Sequence, residues 1–172
     1  KHLPRRWSTE RPLPDSMIVL KLSRIDTSTL RPYKQLVSEG IAGIATDYMH
    51  FSIQNEQGIV PASVSQAFVA EVLRKMLGFQ GLVFSDARNI RGRLGKVRAG
   101  EAELLAFQSG ADVILPAHAT AGIKKIVREV RRNPLYTQQL DQIVRKILRA
   151  KLYAGLNRYK PVNTDNLIRR LH

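Results

Sequence analysis

The chain has 172 residues, 44% of them hydrophobic and 24% charged, which is enough apolar content for one folded unit with a core. Its formal charge is +14, no cysteine is present, and no apolar run approaches the length that crosses a membrane. Disulfides and thiolate metal sites are therefore excluded, and a single membrane-spanning helix is not expected.

Residues 1–17, KHLPRRWSTERPLPDSM, are polar and interrupted by proline, so a loop is expected there. Ile18 to Leu22 is a short apolar segment. Thr27-Ser28-Thr29 offers hydroxyls that cap a helix predicted from Leu30 to Glu39, with Leu30, Tyr33, Leu36 and Val37 on its buried face and Gly40 as its stop. Residues 41–46 follow as a strand, and His50 then reads as a loop residue.

Val60 to Ile90 organises the rest. Ser63 or Ser65 caps a helix whose Val64, Phe68, Val69, Val72, Leu73 and Met76 recur at helical spacing, and Gly78 breaks it. Gly81-Leu82-Val83-Phe84 has no polar alternation, as in a parallel strand covered on both faces, and it delivers Asp86 to the strand's carboxyl end. In α/β proteins that end is where ligands bind. Arg88 to Arg98 is a Gly- and Arg-rich loop. Gly100 to Ser109 is predicted as a helix burying Leu104, Leu105 and Phe107, and residues 111–115 as the last strand, with Asp112 read as structural. A helix from Thr120 to about Arg132 is broken at Asn133-Pro134. Thr137 caps a final helix to Tyr153, ended by Gly155.

PASVS, LRKMLGFQGLVFSDARNI and GEAELLAFQSGADVIL, in that order from Pro61 to Leu115, resemble family 3 glycoside hydrolases, most closely the β-N-acetylglucosaminidase type. The opening KHLP and the late VRKILRAKLYAGL fit the same pattern. The resemblance implies an α/β fold, the C-terminal half of a (β/α)₈ barrel over residues 1–155, with 156–172 as a polar tail. It also implies that Asp86 is a nucleophile forming a covalent glycosyl-enzyme, that Lys1 and His2 contact sugar hydroxyls, and that no cofactor or metal takes part.

The same resemblance exposes departures. The family usually reads KHFPGHG and then DSH, whose aspartate and histidine form an acid/base dyad. Here Arg5-Arg6-Trp7 stands for GHG and Asp15-Ser16-Met17 for DSH, so Asp15 is a remnant of the dyad and Met17 replaces the proton-transfer histidine. A thioether cannot carry a proton near neutral pH. Asp47-Tyr48 stands where an alanine and a histidine face the sugar, making Tyr48 and the nearby His50 candidate sugar contacts. Arg88, two residues from the nucleophile position, has three readings: it pairs with Asp86 and lowers its pKa, it blocks the sugar subsite, or it binds phosphate with the neighbouring glycines.

These departures lead to the expectation of a catalytically impaired barrel portion serving as a structural or interaction subunit. The alternative is an active retaining β-N-acetylglucosaminidase acting on cell-wall-type glycosides. Three clear strands are far fewer than the eight of a closed barrel. An amino-terminal half, in the same or a separate chain, is therefore the expected partner, and the opening Lys1 reads as a fragment or processed product. Relatives of this kind are bacterial and act in the cytoplasm or the cell envelope. From Lys124 onward 13 basic residues face 3 acidic ones; interleaved with Ile, Val and Leu, they read first as the solvated outer face of amphipathic helices and alternatively as a surface for protein partners. Nucleic acid is not an expected partner, because no aromatic residues interleave with the basic ones as single-strand binders require.

Overall fold

The structure is a computed structural model that describes residues 2–3, 19–21, 27–46, 50–52, 60–89 and 97–159. Four strands, β1 (His2–Leu3), β3 (Gly43–Thr46), β6 (Leu82–Asp86) and β7 (Val113–Leu115), form one sheet in the order β1-β3-β6-β7 with every neighbour parallel. A second sheet joins β2 (Val19–Lys21), β4 (His50–Ser52) and β5 (Val60–Pro61), with β2 parallel and β5 antiparallel to β4. Helices α1 (Thr27–Ser38), α2 (Glu101–Gln108), α3 (Ala119–Arg132) and α4 (Pro134–Tyr153), a π-helix over Phe68–Met76 and short 3₁₀ turns at Ala62–Val64, Ala87–Asn89 and Leu156–Arg158 complete the described elements.

Helix connections between parallel strands leave one sheet face covered. Leu30 and Tyr33 of α1, Phe68, Val72 and Leu73 of the π-helix, and Ile44 and Val83 of the sheet are all buried in one core. Burying a side chain of this size contributes about 1.5–3 kcal/mol. Along β6 burial alternates: Val83 and Ser85 are buried, while Leu82, Phe84 and Asp86 are intermediate. The apolar run is therefore not covered equally on both faces as its composition predicts. Successive strand residues point to opposite faces, and the Val83 face packs against α1 and the π-helix. Asp86 shares the other face with Leu82 and Phe84.

Several sequence expectations shift by a turn or a face. Thr27, Ser28 and Thr29 lie inside α1 rather than before it. Ser65, not Ser63, caps the helix after β5, its Oγ accepting from the Phe68 N–H at 3.1 Å. Pro134 is the first residue of α4 and Asn133 caps it, accepting from the Leu135 N–H at 3.0 Å, so Thr137 lies inside that helix. Proline at a first helical position loses no hydrogen bond, and its fixed φ suits the helix. In α2 the buried residues are Ala102, Glu103, Ala106 and Phe107, with Leu104 and Leu105 half-buried. The small residues win that face because α3 packs close. A Cβ added at Gly122 would lie 2.6 Å from the Cβ of Glu103.

Asp112 is structural, as its sequence context suggests. Its side chain is fully buried at the amino end of β7. One oxygen accepts from the Val83 N–H at 2.9 Å and from Arg74 at 3.2 Å, and the other from Lys146 at 2.8 Å. Arg74 also donates to the carbonyls of Phe79 and Gly81. One carboxylate thus fastens the π-helix, β6, β7 and α4 at the end of the sheet away from Asp86.

Candidate functional site around Asp86

The parallel order brings four carboxyl ends to one edge. Thr46 pairs with Ser85 and Asp86 with Leu115, so the last residues of β3, β6 and β7 lie side by side. Two internal bonds hold that edge. The Thr46 hydroxyl donates to the Phe84 carbonyl at 3.0 Å, and the buried Ser85 hydroxyl donates to the Ser63 carbonyl at 2.7 Å. The Ser63 hydroxyl is the buried side-chain polar atom without a hydrogen-bond partner among the described residues.

Asp86 is therefore presented on a backbone braced from both sides, with its side chain 27% exposed. A short 3₁₀ turn, Ala87–Asn89, follows at once and folds Arg88 back onto it. Oδ1 accepts from the Arg88 backbone N–H and from Nε, both at 3.0 Å, and Oδ2 accepts from Nη2 at 2.9 Å. This is a forked guanidinium–carboxylate pair, the geometry arginine is built for. Hydrogen bonding to Asp86, and then the carboxylate's charge, hold the guanidinium above its ordinary pKa. Among the three readings of Arg88, pairing is the one seen.

The loop after β7 is fastened by a residue that sequence reasoning passed over. Glu103 is buried, and its Oε1 accepts from the backbone N–H groups of Ala117 and His118 at 2.8 and 2.7 Å. Two charge-assisted bonds to consecutive amides fix the segment beside the Asp86 edge. The signal was there: a glutamate on the apolar side of a short helix needs a partner if it is buried. His118 is exposed at the start of α3.

Other expected site residues are placed unequally. His2 lies in β1, its backbone paired with Ala45, two strands from β6 and so about 9–10 Å away across the sheet. His50 stands in β4 of the second sheet, paired with Val19 and Pro61, and not in a loop. Its ladder on both sides explains the difference. Lys1, Asp15, Met17, Asp47 and Tyr48 lie outside the described residues. Among the described residues no group of three His, Cys, Asp or Glu side chains forms a metal site, and no helix is long and apolar enough to cross a membrane.

Residues 1–150 match the model of the glycosyl hydrolase family 3 N-terminal domain. The β-hexosaminidase of Neisseria meningitidis serogroup B is 26% identical over 146 residues, covering 81% of this chain and 39% of the relative. That of Glaesserella parasuis is 29% identical over 111 residues, covering 64% and 32%. Among solved structures, a family 3 β-N-acetylglucosaminidase of a Paenibacillus species superposes with a TM-score of 0.70 at 22% identity, covering 85% of this chain and 28% of that one. A β-N-acetylhexosaminidase of Beutenbergia cavernae gives 0.65 at 23% identity, covering 77% and 40%. The chain spans about two fifths of the length of the curated relatives it matches over the longest stretch.

Proposed function

Since the chain belongs to glycosyl hydrolase family 3, we propose that it is a barrel portion that keeps the nucleophilic carboxylate of a retaining β-N-acetylglucosaminidase but is impaired in turnover, so that its main contribution is structural. The observation that carries this reading is Asp86 at the carboxyl end of β6 with both oxygens held by Arg88. A retaining nucleophile attacks the anomeric carbon while positive charge builds on the sugar ring. A guanidinium beside Asp86 neutralises the attacking charge and repels the developing cation. The Arg88 backbone N–H and Nε both donate to Oδ1, and Nη2 donates to Oδ2.

The second half of the mechanism needs a group that protonates the leaving oxygen and then deprotonates water. Met17 stands at the position the family gives to that histidine, and losing such a group costs on the order of 10²–10⁴ in rate. Lys1, His2, Tyr48 and His50 remain proposed sugar contacts, with Asp15 the remnant of the acid/base pair. The partner proposed is an amino-terminal barrel half, because β1 and β7 are both edges of the four-stranded sheet and unpaired edges invite pairing.

The test is an activated aryl β-N-acetylglucosaminide given to the natural full-length polypeptide that carries this chain, with Asp86→Ala beside it. Such a leaving group departs without much protonation. A slow burst of aryl alcohol, near one equivalent, without sustained turnover and absent in Asp86→Ala, is expected. Rapid sustained turnover would favour the fully active alternative.

A further inference from the structure

We propose that the outer face of α3 is a docking surface for an anionic lipid bilayer, with Ile123 and Val127 entering the interface and Lys124, Arg128 and Arg131 meeting the lipid phosphates. The inference makes no use of Asp86 and goes beyond the glycosidase reading.

The first observation is that α3 is already seated on its own chain. Gly122 is its buried residue, and it lies so close to Glu103 of α2 that an added Cβ would come within 2.6 Å. Gly100 meets the Ala121 carbonyl as closely. The inner side of the helix is thus filled. Yet Ile123 and Val127 are 62% and 42% exposed, where a solvated helix face would turn them inward. Residues four apart share a helix face, so the two form one apolar ridge.

The second observation is charge. Of the 14 residues in α3, five are basic and one is acidic. Lys125 is paired with Glu101 and Arg132 with Glu129. Lys124, Arg128 and Arg131 are exposed and make no ion pair among the described residues. Lys124 and Arg128 run beside the ridge, and Arg131 continues it one turn past Val127. A strongly amphipathic helix with low overall hydrophobicity, its apolar residues flanked by cations, lies in a bilayer interface rather than crossing it.

The third consideration chooses among anionic partners. A nucleic acid or other hydrated polyanion would satisfy the three cations and leave Ile123 and Val127 in water. A partner helix docks into a groove, and a single projecting ridge offers none. A bilayer answers both features, with phosphates for the cations and the acyl boundary for the ridge.

The experiment floats the natural full-length polypeptide with vesicles of phosphatidylcholine alone or with about a third phosphatidylglycerol. Binding to the anionic vesicles only is expected, with most of it released in about 1 M salt, where the screening length is about 3 Å. Arg128→Gln and Arg131→Gln should each weaken it about fivefold. Ile123→Ser should weaken it about tenfold and leave its salt dependence unchanged, because no charge is lost. Each variant should keep the parent's circular dichroism, since the altered side chains are exposed. Absence of binding to the anionic vesicles, or equal binding to neutral ones, would overturn the proposal. Retention on poly(uridylic acid) equal to that on vesicles, with Ile123→Ser binding as well as the parent, would also overturn it and assign the face to a polyanion. None of these outcomes bears on the aryl alcohol burst, so the docking face and the nucleophile stand or fall separately.

Discussion

Asp86 and Asp112 are two aspartates of one sheet with opposite fates, and their surroundings explain why. Asp112 is sealed from water between Arg74, Lys146 and the Val83 N–H. Removing one member of a buried ionic group leaves uncompensated charge, which costs about 3–5 kcal/mol. Arg74 and Lys146 are 22% and 32% exposed and so can partly rehydrate. Asp112→Ala should therefore lower unfolding free energy by about 3 kcal/mol in urea titration of the natural polypeptide. A loss under about 1 kcal/mol would mean that this carboxylate does not hold the four elements together. Glu103→Gln, which keeps the shape but weakens two charge-assisted bonds, should cost about 1.5–3 kcal/mol. The Asp86–Arg88 pair answers differently to pH. Because Arg88 sits above its ordinary pKa, any stability the pair contributes is present throughout the range in which free arginine is charged. It is lost on the alkaline side only as pH passes the raised folded value. The Arg88 Nε–Hε resonance should therefore hold its position from neutral into mildly alkaline solution, and a shift in that range would mean that the pair is already open.

At the scale of elements, close packing between α2 and α3 is the feature most open to a single change. Gly122→Ala places a methyl group against the Cβ and Cγ of Glu103. Neither can retreat without disturbing the Ala117 and His118 amides, so a loss of about 1–3 kcal/mol is expected by thermal or chemical unfolding. An unchanged midpoint would show that α3 can slide. The parallel βα order was legible in the sequence because Gly40, Gly78, Gly110 and Gly155 mark helix ends with positive φ and apolar runs follow the first three. What was not legible depends on contacts from elsewhere in the chain. Leu104 and Leu105 look like core but yield to Ala102 and Ala106, since α3 approaches that face. His50 looks like loop, but strands on both sides pair with it. The forked contact of Arg88 was one of three open readings, because a two-residue spacing does not specify the turn between them. Glu103 went unnoticed because its partners are backbone amides 14 and 15 residues away.

For the whole molecule, the decisive feature is an open sheet. β1 and β7 close neither on each other nor on another described strand, and Leu148, Leu152 and Tyr153 of α4 are 58%, 61% and 94% exposed. A chain with such edges and faces is expected to self-associate when expressed alone. It should become monodisperse when co-expressed with an amino-terminal family 3 barrel half, which sedimentation velocity would report. A stable monomer of the isolated chain would contradict the proposed partner. The central claim is that Asp86 is still a nucleophile, held back by its surroundings. Its most direct test is the aryl β-N-acetylglucosaminide burst in the natural full-length polypeptide, followed by mass spectrometry of the peptide containing Asp86. A slow burst near one equivalent, with the sugar's mass on Asp86 and neither seen in Asp86→Ala, is the predicted result. A folded protein that releases no aryl alcohol, or releases it equally in Asp86→Ala, would contradict the account.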